Sequence, residues 1–119
     1  MENEKENVIV KLSLEFALKI ISYTEELEEK RKYVIARQLL KSGTSIGANI
    51  RESQNAESRN DFIHKLKVAA KEADETEYWL LLCDQSSGYP STTHLQTELL
   101  AIRKVLSKII GSTKKNKPH

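Results

Sequence analysis

SGTSIGANIRESQNAESRNDFIHKLKVAAKEADE, residues 42–75, decides the fold of this chain. Its glycines and serines suggest a loop at first sight, even a phosphate cradle. Periodicity overrides that impression. At about 100° per residue, Ile35, Ala36, Leu39, Leu40, Gly43, Ile46, Gly47 and Ile50 share one arc, which predicts a helix from about Lys32 to Ala56 with one apolar face. Each glycine costs ~1 kcal/mol against alanine inside a helix. Gly43 and Gly47 lie one turn apart on the apolar side, where a missing Cβ lets another helix approach, as small-xxx-small contacts do in membranes. With Asn49 they form a helix-packing motif, and Gly47→Leu is expected to be strongly destabilising through overpacking. The rival reading is a break at Ser42-Gly43-Thr44 that splits this helix in two.

The second half of the stretch opens a new helix. Ser58-x-x-Asp61 is a capping box with Asp in place of Glu. Phe62, Leu66, Ala69, Ala73, Thr76, Leu80 and Cys83 then recur at spacings of three and four, which is a core stripe. From Tyr78 to Cys83 the helix is apolar nearly all round, and this implies burial on more than one side. Tyr78, Trp79 and Leu82 are therefore candidates for a subunit contact.

Outward from this stretch the pattern repeats. Leu12, Phe16, Ile20, Tyr23 and Leu27 mark a first helix over about 7–29, and Val10, Leu14, Ala17 and Ile21 broaden its apolar face. Ser87-Gly88-Tyr89-Pro90 turns the chain. Leu95, Leu99, Ile102, Leu106 and Ile109 then define a fourth helix over about 91–110, with Ser91 as N-cap and Gly111 as C-cap. The basic tail 112–119 is expected to be disordered. Helices over about 7–29, 32–56, 58–85 and 91–110 make an all-α, up-down-up-down antiparallel four-helix bundle, read as one domain over 1–119 without internal repeats.

Composition agrees. The chain has 119 residues, enough for one core, with 4 Gly, 2 Pro and 30% charged residues. A single cysteine, Cys83, excludes an intrachain disulfide and reads as a buried thiol. MENEKENV lacks the apolar segment of a signal peptide, and the longest apolar run falls far short of the ~20 residues that span a bilayer. A cytoplasmic protein without membrane contact is expected. The net charge of +2 hides four blocks: −5 over residues 1–29, +7 over 30–71, −6 over 72–102 and +6 over 103–119. Such blocks can pair helices or subunits and can leave a basic surface for an anionic partner.

Ser45-Ile46-Gly47-Ala48-Asn49-Ile50-Arg51-Glu52, then Ser58, Asp61-Phe62-Ile63, Leu66, Ala69, Glu72 and Glu75-Thr76 resemble the four-helix-bundle family encoded within 23S rRNA intervening sequences, often labelled a ribosomal protein family. The resemblance covers about residues 9–111. It implies a homopentameric bundle. More distantly it implies kinship with the accessory protein of diversity-generating retroelements, a basic pentameric barrel that binds nucleic acid and a reverse transcriptase. No established activity comes with it.

No reaction is legible in the residues. Glu52, Glu72 and Glu75 could approach one another and support an alternative reading as a carboxylate-bundle metalloenzyme. However, none is followed by His three residues on, as the di-iron motif requires. The bland reading is that Asn49, Glu52 and Glu75 make polar contacts that fix helix ends or register. His64 and His94 are lone helix residues. Cys83 has no basic neighbours in sequence to activate it, and no phosphate-binding glycine loop or nucleophile elbow is present. No cofactor and no metal are expected. The best functional candidate is the basic arc of Lys30, Arg37, Lys41 and Arg51, opposite the apolar face of the second helix, with Lys65, Lys67, Lys71, Lys114, Lys115 and Lys117 as possible additions. Phosphate contacts need cations on one surface and no particular order. No aromatic is interleaved with the arc, so binding should be backbone-driven and tolerant of sequence. The expected protein is a non-enzymatic homo-oligomer. Its expected partners are itself and RNA, DNA or a nucleic-acid-handling protein, and a purely structural scaffold is the plainer alternative.

Overall fold

The computed structural model describes residues 4–115, with side chains from Val8 onward. Four helices follow one another: α1 (Glu4–Glu29), α2 (Tyr33–Ser53), α3 (Arg59–Gln85) and α4 (Thr93–Lys115). Each packs on its sequence neighbours, and α4 closes the ring on α1, while α1 and α3, like α2 and α4, face each other across the core with their backbones farther apart. The result is an antiparallel four-helix bundle 54 Å long and about 20 Å across. Its core is aliphatic around Phe16, with Ile20, Leu27, Leu39, Ile46, Ile50, Leu66, Leu80, Leu99, Ile102 and Leu106 almost fully enclosed. These are the positions that the periodicity marks. Leu12 and Phe62, also on the expected stripes, pack against this core half-buried.

The turns carry their own logic. α1 ends in a Schellman motif: the Lys32 N–H bonds the Leu27 carbonyl at 2.8 Å and the Arg31 N–H bonds the Glu28 carbonyl at 2.9 Å. The left-handed residue is Arg31, φ 63°, where glycine is the usual occupant. The bundle accepts that local cost and so holds Lys30, Arg31 and Lys32 together at one corner. At α3 the Ser58 hydroxyl accepts from the Asp61 N–H at 3.0 Å, and the Asp61 carboxylate accepts from the Glu57 N–H at 3.1 Å. The capping box is thus reciprocal, displaced by one residue on the return.

α2 is continuous through Ser42-Gly43-Thr44, so the break does not occur. The hydroxyls there bond within the helix: Thr44 donates to Leu40 O and Ser45 to Lys41 O, both at 2.7 Å. Ser42 is fully buried and accepts from the Thr76 hydroxyl of α3 at 3.0 Å. The tight approach belongs to Gly43, where a Cβ would sit 2.9 Å from both Cγ1 and Cγ2 of Ile20. At Gly47 the nearest atom to such a Cβ is the Ser13 carbonyl oxygen, an ordinary 3.4 Å away.

Four boundaries differ from the sequence reading, and the first is the start of α1, at Glu4 rather than near Asn7. α2 stops at Ser53 rather than near Ala56, and a turn follows. α4 starts at Thr93, because the buried Thr92 takes the first position: its carbonyl accepts the Gln96 N–H at 2.9 Å while its hydroxyl donates to Leu80 O at 3.1 Å. Ser91 caps from one residue earlier, accepting from the Thr93 N–H at 3.3 Å. Finally, α4 runs past Gly111 to Lys115, so the expected C-cap and the start of the disordered tail are overturned. The Arg59 guanidinium donates to the Thr113 carbonyl at 3.1 Å and holds this last turn against α3. Residues 116–119 lie outside the described residues.

Candidate functional site

Three of the four residues of the expected basic arc lie on the outside of α2, and Lys30 does not share that helix, because the chain turns through the left-handed Arg31 just after it. Arg37, Lys41 and Arg51 are exposed, and Lys30 is exposed in the turn after α1. None of these side chains makes an ion pair within 4 Å among the described residues, whereas Lys65 is held by Glu52 at 2.9 Å. That bond, followed by the carboxylate's charge, raises Lys65 above the ordinary lysine range. Lys41 faces α3, where its charge partly offsets the effects of burial and of Glu75 that push the Glu72 carboxyl up.

The three carboxylates of the metalloenzyme alternative do not converge. Glu52 is paired with Lys65, and Glu75 accepts from the Trp79 indole N–H at 3.2 Å. Among the described residues no group of three His, Cys, Asp or Glu side chains is placed to hold a metal ion. His94 pairs with Glu98 at 2.8 Å on the surface, and Glu98 also accepts from Lys19. Cys83 is buried, and desolvation raises its thiol against the opposing hydrogen bond from Tyr23, which makes it a poor nucleophile.

Periodicity marked the first helix as broadly apolar without showing which part of that face stays uncovered. α1 is apolar over more of its circumference than the core can cover. Leu14 and Leu18 are 51% and 57% exposed, and Ile21 and Leu40 are also open to solvent. Beside them Val10, Ser13, Leu14, Ala17, Thr44, Gly47, Ala48 and Arg51 line a shallow groove of about 170 Å³ between α1 and α2. Of the expected contact residues, Tyr78 is 56% exposed and stacks edge-on against Trp79 at 5.4 Å, while Trp79 and Leu82 are half-buried. Leu81 is exposed beside them. Because α1 and α3 sit on opposite sides of the ring of helices, the molecule presents two separate apolar faces.

Two further cationic spots lie at opposite ends of the bundle. At the α1–α2 corner, Arg31, Lys32, Tyr33 and Tyr89 surround a hollow of about 270 Å³, with the Lys32 ammonium 5.1 Å from the Tyr89 ring centroid. Aromatics therefore do stand beside cations, although away from the arc on α2. At the other end Arg59, Lys67 and Lys114 rim a larger cleft. No helix among the described residues is long and apolar enough to cross a membrane.

Residues 5–111 match the sequence model of the 23S rRNA-intervening sequence protein family. The chain is 44% identical to a crystallised protein of unknown function from the S23 ribosomal protein family of Bacteroides thetaiotaomicron VPI-5482, with a TM-score of 0.85 over 90% of this chain and 98% of that one. No curated protein matches it.

Proposed function

The chain belongs to the 23S rRNA-intervening sequence protein family, and on that premise we propose that it is a non-enzymatic, cytoplasmic assembly module that forms a homopentameric ring and binds the phosphate backbone of RNA or DNA. The observation that carries this reading is the uncovered apolar stripe Leu14, Leu18, Ile21 on α1, continued by Leu40 on α2. Contiguous apolar surface of this kind marks a protein contact. A second apolar face around Tyr78 and Leu81 lies on the far side of the bundle. Two different faces favour head-to-tail contact, which closes into rings when the rotation per subunit permits. The number five is what the family resemblance implies.

Light scattering at micromolar concentration tests the assembly. A particle of five 13.6 kDa chains is expected, and Leu18→Glu should reduce it to a folded monomer. A strict monomer in the parent protein ends the proposal.

Nucleic-acid binding is tested by a salt titration with a labelled duplex. Arg37→Glu with Lys41→Glu should weaken binding and flatten the log–log salt slope by about 0.9 for each phosphate that the variant no longer neutralises. Unchanged binding would show that the α2 arc takes no part. An absence of binding in the parent would leave a scaffold that only assembles.

A further inference from the structure

We infer that the cleft between the start of α3 and the end of α4 is a discrete phosphate site, in which the ammonium groups of Lys67 and Lys114 clasp one phosphate group and Asn60 offers its amide to it. The cleft has a volume of about 380 Å³ and is lined by Arg59, Asn60, Ile63, Lys67, Thr113 and Lys114. Three of these six residues are cationic and none is acidic. Some cations on the bundle are held by carboxylates: Lys19 pairs with Glu98, Lys65 with Glu52, and Arg103 with Asp74 and Glu77. Lys67 and Lys114 make no ion pair among the described residues. They face each other instead, and the contact with Lys114, then its like charge, hold Lys67 below the ordinary lysine range.

Two ammonium groups on one cleft with no carboxylate among its described lining residues are an arrangement that a bridging dianion relieves. The fold maintains it through Arg59, whose bond to the Thr113 carbonyl fixes the last turn of α4, and with it Lys114, beside α3. The first turn of α3 adds the positive end of its helix dipole on the same side. The site lies apart from the arc on α2 and extends the backbone-binding reading above, on which it does not depend. A phosphate group reaches such a cleft either as a free small anion or as part of a strand.

The test has two arms, both at low ionic strength with the full chain. In the first, inorganic pyrophosphate is titrated and followed by calorimetry and by the melting temperature, with chloride of matched ionic strength as control. In the second, a fluorescent single-stranded oligonucleotide is followed by anisotropy. Lys67→Gln is expected to weaken binding about tenfold, the effect of removing one charge-assisted hydrogen bond. Without anion, Lys67→Gln should melt at the parent's temperature or above it, because the repulsion is gone; this separates a ligand site from a structural role. Arg37→Glu with Lys41→Glu should leave pyrophosphate binding intact, so failure of the α2 arc and failure of this cleft are distinguishable. Binding of pyrophosphate alone assigns the site to free anions, and binding of both assigns it to strands as well. Equal binding by the parent and by the Lys67→Gln, Lys114→Gln double variant, or no binding in either arm, overturns the proposal.

Discussion

Gly43→Leu should cost the chain stability at or above the top of the ~1–3 kcal/mol range typical of an overpacked core. The reason is the identity of the neighbour. A Cβ at Gly43 would lie 2.9 Å from two carbons of Ile20, a fully buried, β-branched side chain on α1. In a helix such a side chain has essentially one χ1 rotamer, so it cannot swing aside. The backbones of α1 and α2 must separate, and the packing around Ile46 and Leu39 opens with them. Even Gly43→Ala should lose stability, although alanine gains ~1 kcal/mol of helix propensity. Gly47→Ala is the control: the nearest atoms to its Cβ are the Ser13 carbonyl oxygen at 3.4 Å and hydroxyl at 3.5 Å, ordinary contacts, so it should be neutral or stabilising by up to ~1 kcal/mol. Urea unfolding at one fixed protein concentration reads all three, since assembly would otherwise shift the midpoints. If Gly43→Leu and Gly47→Ala have the same midpoint, the helix contact is misplaced.

Phe16→Ala should cost about 3–5 kcal/mol, the range for emptying a buried aromatic site. Phe16 is the one aromatic side chain among the fully buried described residues, in a core that is otherwise mostly aliphatic. Aliphatic neighbours on four rigid helices can collapse only partly into the space. A domain of ordinary stability has ~5–15 kcal/mol to lose, so the variant should be close to unfolding at ambient temperature. Thermal unfolding by circular dichroism is the check, and a loss below about 1 kcal/mol would place Phe16 at the edge of the core rather than in it.

Much of this architecture is legible in the order of residues, because a helix records its buried side at every third or fourth position. Ile46, Ile50, Leu66, Ala69 and Leu99 needed no tertiary information to be assigned to the core. What escaped was whatever depends on the partner element. Periodicity placed both glycines against a neighbour but could not show that Ile20 comes opposite Gly43 and Ser13 opposite Gly47. It marked α1 as broadly apolar without showing which part α2 and α4 leave uncovered. Gly111 carried a stop signal that composition alone would respect, whereas α4 continues to Lys115, with its last turn bonded to Arg59, far off in the chain. Lys67 and Lys114 become neighbours only through the closure of α3 on α4. The candidate surfaces were therefore partly visible as residue types, while their grouping was not.

The ring of helix contacts also bears on time. α1 with α2, α2 with α3, and α3 with α4 are successive hairpins, and among the helix pairs in close backbone contact the seam between α1 and α4 joins the parts most distant in the chain. Helical bundles dominated by such local contacts reach the native state in about microseconds to milliseconds, and a temperature-jump relaxation slower than a second would contradict this. A newly made chain thus completes its own core well before chains at micromolar concentration typically meet. The apolar stripe on α1 is then offered to other copies by a finished subunit, and assembly selects among folded partners rather than among sticky intermediates.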